Sequence, residues 1–175
     1  MPRQTIAKIN VIMLLIVAAA IPAMFLVEKQ ERQAEETKFT IALQAADAGR
    51  WYWSLDNKII EWDKQMYVLF GITDSTAGIT RDTFFSHVHP SDVDAVKSDT
   101  NGAIDNKTGY AHVYRIVTDT GELRYLKTYA KVSVDGTFMA GVCIPATQEE
   151  YDLFNTTLYA RQKTNALLNP STPLQ

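Results

Sequence analysis

Residues 110–144, YAHVYRIVTDTGELRYLKTYAKVSVDGTFMAGVCI, decide the fold. Three runs rich in β-branched and aromatic residues, Tyr110–Val117, Glu122–Val134 and Thr137–Ile144, are separated by Asp119-Thr120-Gly121 and Asp135-Gly136. Both separators suit hairpin turns, so three consecutive antiparallel strands are expected. Side chains alternate across a strand, which puts Tyr114 and Ile116 on one face and Ala111, Val113 and Arg115 on the other.

Upstream, Arg50-Trp51-Tyr52-Trp53-Ser54-Leu55 and Lys58–Trp62 flank an Asp56-Asn57 turn and predict a first hairpin, with Gly49 stopping the helical pattern before it. Asp63 is an expected N-cap for a helix through Phe70, with Gly71 as its stop. Thr80 suits the cap of a short helix carrying Phe84 and Phe85, and His89-Pro90-Ser91-Asp92 opens another running to about Ile104. Downstream, Thr147-Gln148-Glu149-Glu150 matches a capping box and starts a helix over 147–168, leaving 169–175 as an expected disordered tail with Pro170 and Pro173. Two strands, short helices and three strands predict an α+β domain over 49–146, with a five-stranded antiparallel sheet and the helices across one face.

The N-terminal third reads differently. From Ile9 to Val27 no side chain is charged, and these 19 residues would reach roughly 28 Å as a helix, close to the hydrocarbon thickness of a bilayer. A single transmembrane helix over 9–27 is expected after a tail over 1–8, with lipid as its partner. The competing reading is a cleaved signal, with Ala18-Ala19-Ala20 or Ile21-Pro22-Ala23 as the cleavage site. Basic residues flank the run on both sides, at Arg3 and Lys8 and at Lys29, Arg32 and Lys38, so they do not set its orientation. Residues 28–48 then predict a helical connector. Phe39, Ala42, Leu43 and Ala46 recur at i, i+3, i+4 and i+7, the pattern of one buried stripe and a candidate dimer or signalling surface.

Composition narrows the function. The 175 residues suffice for one folded domain plus an appendage, and 17 Lys+Arg against 20 Asp+Glu leave no excess of positive charge for nucleic acid. Cys143 is the sole cysteine, which excludes an internal disulfide and multi-cysteine metal sites. Esterase elbow, phosphate-loop, dinucleotide and zinc-protease motifs are absent, so no catalytic residue is assigned and a small hydrolase is only a remote alternative. His87 and His89 lack an identifiable third ligand, and no metal is expected; their stretch is equally an ordinary helix opening.

In order along the chain, Gly49-Arg50-Trp51-Tyr52-Trp53-Ser54-Leu55, Leu69-Phe70-Gly71, Val88-His89-Pro90-Ser91-Asp92, Tyr114-Arg115-Ile116 and Gly121-Glu122-Leu123-Arg124-Tyr125 resemble a PAS domain of the kind with a W-x-W opening and a His-Pro-acidic turn. The resemblance covers roughly residues 40 to 148. It implies a sensory or regulatory module without catalysis of its own, usually cytoplasmic, whereas a short basic tail held inside would place the domain across the membrane. The family's closing Asp-Ile-Thr departs here to Pro145-Ala146-Thr147, and in the family that aspartate helps couple the sheet to the following output helix.

Trp53, Tyr67, Phe70, Phe85, Tyr114, Ile116 and Tyr129 are candidates to line a ligand pocket between sheet and helices, although a domain of this size needs several large apolar anchors and filling the core is the favoured reading. Flavin-binding relatives carry a cysteine in an Asn-Cys-Arg context, which Cys143 lacks, and no cofactor is expected. The 25 residues after Glu150 are too few for an output domain, so any response is expected to pass to another chain, with homodimerisation at the stripe as the route. The alternative is a ligand-free scaffold tethered to a membrane.

Overall fold

The computed structural model describes residues 3–74, 76 and 78–168. The chain divides into two units, Met1–Ala45 and Ala46–Gln175, which are described separately.

The first unit is one helix, α1 (Arg3–Ala45), continuous through Pro22. Its exposed turns carry the ion pairs Glu28–Arg32 at 2.9 Å and Glu35–Lys38 at 2.8 Å, at the i,i+4 and i,i+3 spacings that add a few tenths of a kcal/mol each. Residues 9–27 fall within α1, but the side chains of 9–12, 14–17 and 19 lie outside those described. Among the described residues, no helix is long and apolar enough to cross a membrane. The expected span therefore gains no support here. Phe39, Ala42 and Leu43 lie on α1, with Phe39 and Ala42 exposed and Leu43 half-buried. Ala46 lies beyond the helix end, in a turn where Asp47 takes a left-handed φ of 49°; this turn, rather than Gly49, ends the helix.

The second unit continues as β1 (Gly49–Ser54), β2 (Ile60–Trp62), α2 (Lys64–Phe70), α3 (Arg81–His87), α4 (Val93–Asn106), β3 (Gly109–Val117), β4 (Leu123–Val132), β5 (Phe138–Ala146) and α5 (Gln148–Leu168). The sheet order is β2-β1-β5-β4-β3, antiparallel throughout. The last strand thus inserts between the first strand and β4, in the register Gly49↔Cys143, Trp51↔Gly141 and Trp53↔Met139.

Local chemistry sets the element ends. The Asp63 carboxylate accepts the Met66 N–H at 3.0 Å and caps α2, which Gly71 closes at φ 65°. The Thr80 hydroxyl accepts the Thr83 N–H at 3.1 Å and caps α3. Thr147 and Glu150 exchange the reciprocal bonds of a capping box at the start of α5, 2.9 and 3.2 Å long. β2 is shorter than the expected Lys58–Trp62, because Asn57 Oδ1 accepts the Ile59 N–H and Lys58 takes φ 60°, drawing these residues into the turn. β4 stops at Val132 rather than Val134 because Ser133 and Asp135 side chains take up the turn N–H groups of Thr137 and Phe138. The Ser133 hydroxyl, followed by the Thr137 N–H and hydroxyl, donates to the Asp135 carboxylate and holds it down at about 2.

Helices α2 to α4 cover one face of the sheet. α4 turns Val96, Thr100 and Ala103 inward at i, i+4 and i+7, and Met66, Leu69, Phe70, Tyr114, Ile116 and Leu126 join Val96 in the core. Gly141 lets β5 run under the Trp51 indole: a Cβ there would sit 2.7 Å from the ring and meet the Tyr129 carbonyl oxygen. Pro145 continues β5 opposite Leu126, past the last residue paired with β1, as a strand proline requires.

Candidate functional site

Between the sheet and the helices lies a cavity of about 40 Å³. Its floor is aromatic. Strand alternation sends Trp51 and Trp53 of β1 to the helical side, and pairing sets Trp62 and Ile60 of β2 beside them. All three tryptophans of the chain line this space. Met66 from α2, Phe84 and Phe85 from α3 and Thr100 from α4 enclose it, while Tyr110, Thr128 and Cys143 supply the remaining sheet wall.

The polar atoms of that wall have partners already. The Thr100 hydroxyl donates to the Val96 carbonyl at 2.7 Å and sits 3.2 Å from the Tyr110 hydroxyl, and the Thr128 hydroxyl donates to the Val142 carbonyl at 3.3 Å. Burial pushes the Tyr110 phenol up to about 12 and raises the Cys143 thiol, so both stay neutral and Cys143 is a poor nucleophile at neutral pH. The interior offers apolar contact, not acid, base or nucleophile.

The rim differs. Arg81 and Phe85 line both this cavity and an open cleft of about 500 Å³ outside it, which also takes in Asp82, Val93 and Lys97. The Arg81 guanidinium lies over the Trp53 and Phe85 rings, 5.4 Å from each centroid, and donates to Asn101 Oδ1 at 2.8 Å. The Lys97 ammonium lies 5.2 Å from the same Phe85 ring.

A second constellation ties the C-terminal helix to the domain. Asp92 holds the N-cap position of α4 but makes no capping bond. Its buried carboxylate instead accepts the Arg115 backbone N–H at 2.9 Å, Arg115 Nε at 3.0 Å, Arg115 Nη2 at 2.6 Å and the Tyr151 hydroxyl at 2.9 Å. The Arg115 guanidinium also lies 4.7 Å from the Tyr151 ring centroid. α4, β3 and α5 therefore meet on one carboxylate. His112 makes a neighbouring link, with Nδ1 2.6 Å from Asp99 of α4 and its ring 4.8 Å from Phe154 of α5.

The pocket candidates divide. Trp53 and Phe85 line the cavity. Phe70, Tyr114 and Ile116 are fully buried in the core cluster. Tyr67 lines a separate surface groove with Gly71 and Arg124, and Tyr129 is 45% exposed on the strand face opposite to Thr128. Trp51, Trp62 and Arg81 were not singled out from the sequence; the shared parity of Trp51 with Trp53 was the available signal. His87 ends α3, where Nδ1 donates to the Thr83 carbonyl and Nε2 meets Asp119, while His89 Nδ1 accepts the Ser91 N–H, so the two rings do not converge. Among the described residues no cluster of three His, Cys, Asp or Glu could hold a metal ion.

Burial disfavours the charged form of Asp92, but the bonds from Arg115 and Tyr151 outweigh it and hold the carboxyl below its ordinary value. The stabilisation is therefore full above about pH 4 and is lost as pH falls through the lower, folded-state value. Asp92→Asn should cost about 3 kcal/mol at pH 7 by urea unfolding, with the gap to wild type narrowing toward pH 2. A gap independent of pH would contradict this role for the carboxylate.

Residues 59–141 match the profile of the family described as PAS fold. Among curated proteins, none is significantly similar in sequence. A sensory box histidine kinase/response regulator from Burkholderia thailandensis E264 superposes with a TM-score of 0.54 at 19% identity, over 73% of this chain and 98% of that one. A light-oxygen-voltage domain studied with a flavin analogue gives 0.57 at 14% identity, over 71% and 96%. The N-terminal domain of a diguanylate cyclase with PAS/PAC sensor from Marinobacter aquaeolei gives 0.53 at 16% identity, over 59% and 98%. Sequence profile, over residues 59–141, and structural likeness agree on the PAS fold.

Proposed function

We propose that this chain is a sensory or regulatory module that takes a small molecule into the cavity between sheet and helices and relays its occupancy to another chain. One observation carries the reading: α4 serves both places, lining the cavity through Thr100 and holding Tyr151 of α5 through Asp92. A ligand that shifts α4 changes the seat of the C-terminal helix, which is how occupancy acquires a mechanical output. The similar structures named above, a sensor kinase, a cyclase sensor and a light receptor, support a sensory role. No catalytic role is proposed, consistent with a neutral, apolar interior.

In this reading the uncharged run 9–27 is a retained anchor in lipid, and Phe39, Ala42 and Leu43 of α1 form the surface through which two copies meet, without Ala46, which lies beyond the helix end. Both rest on the sequence pattern. A cytoplasmic position of the domain follows the habit of the fold. The second reading is a ligand-free membrane-tethered scaffold. What favours it is the cavity size, about 40 Å³ against the roughly 300–1,000 Å³ of pockets for drug-sized ligands.

Mass spectrometry of the full chain, gently purified, separates these readings. A retained small-molecule mass under native conditions supports the sensor, and an intact N-terminus under denaturing conditions supports the anchor. A ligand-free native mass after incubation with cell extract would favour the scaffold, and loss of about the first 20 residues would remove the anchor. For the dimer surface, Leu43→Glu should raise the dimer dissociation constant at least tenfold by analytical ultracentrifugation; an unchanged constant argues against that stripe.

A further inference from the structure

The ligand class follows from the contrast between the cavity's interior and its rim. The interior is walled by the indoles of Trp51, Trp53 and Trp62, its two threonine hydroxyls are bonded to protein carbonyls and the Tyr110 hydroxyl is paired with Thr100, so it selects an apolar body. At about 40 Å³ it admits a few carbon atoms, and neither a flavin ring system nor a haem. Arg81 stands at the boundary, because it lines both the cavity and the outer cleft.

Arg81 has five N–H donors, of which one is engaged by Asn101, and among the described residues no carboxylate lies within ion-pair distance of its guanidinium. Lys97 brings a second cation to the same Phe85 ring, while Asp82 is the one acidic residue on the outer cleft, leaving that cleft net positive. The exposed guanidinium is held against two aromatic faces, with N–H groups arranged for a planar, two-oxygen anion.

We infer that the cavity takes a small monocarboxylate with a short apolar chain, its chain among the three indoles and its carboxylate on Arg81 at the rim. The inference rests on the ligand-binding reading above and adds the chemical class. Dicarboxylates are excluded from the interior, since their second charge would have to enter it without a partner.

The tryptophans report on the site directly. Titration of the full chain with pentanoate should change tryptophan fluorescence saturably, and pentanamide, a neutral molecule of the same shape, should bind at least tenfold more weakly. Arg81→Gln retains an N–H donor for Asn101 Oδ1 and should abolish the discrimination; Arg81→Lys should restore part of it. Circular dichroism and the cooperative urea transition of each variant establish that it is folded. Equal affinity for pentanoate and pentanamide, or unchanged discrimination in Arg81→Gln, overturns the anion assignment while leaving a ligand-binding cavity intact. No saturable response to either probe overturns the monocarboxylate class, and the native-mass measurement then decides independently whether the cavity binds anything.

Discussion

A buried carboxylate accepting four hydrogen bonds is the constraint on which the domain's architecture turns. Asp92 begins α4, yet its oxygens are committed to Arg115 on the edge strand β3 and to Tyr151 on α5. Burying a carboxylate costs several kcal/mol unless it is paired and fully bonded, so all three elements must arrive together for Asp92 to be tolerated. That makes it a geometric lock. It also secures the C-terminal helix from the α4 side through Tyr151, with the His112–Phe154 contact beside it and a capping box at its start.

In the proposed function the lock is what would let a small cavity act at a distance. α4 is a 14-residue helix whose first turn sits at Asp92 and whose inner face reaches the cavity at Thr100. A packed helix moves as a body, so a displacement at Thr100 is felt at its N-terminus. The cavity adjoins the same aromatic chain that fills the core, running from Trp62 to Phe70 at 4.5 Å, on to Phe84 at 5.9 Å and to Phe85 at 4.9 Å. In the proposed reading a ligand in the cavity would therefore act on the core packing, with Arg81 at the solvent boundary.

Features governed by a few neighbouring residues were readable from the sequence. Asp63 with Gly71, Thr80, and Thr147 with Glu150 each act within a turn of chain, and all three helix starts fall where those residues predict. The two hairpins closed by Gly121 and Gly136 were equally local. The insertion of β5 between β1 and β4 was not readable, because that pairing joins residues about ninety positions apart and no local signal encodes it. The same non-local choice decided the pocket. Strand parity groups residues without saying which group faces the helices, so Tyr129 falls outside while Trp51, unnoticed, falls inside. Asp92 shows local logic overruled: a residue suited to capping α4 is claimed by a guanidinium 23 positions away, whose bidentate charge-assisted bonds are stronger than a single cap.

The most direct test of this account is a double-mutant cycle between Asp92→Asn and Tyr151→Phe, read as unfolding free energy of the full chain in urea. If Asp92 is the point where α5 is held, the two changes should be coupled by about 1–2 kcal/mol, the double variant losing less than the sum of the singles. Losses that add to within about 0.3 kcal/mol would mean that the phenol and the carboxylate act independently, and the proposed route from cavity to C-terminal helix would fail.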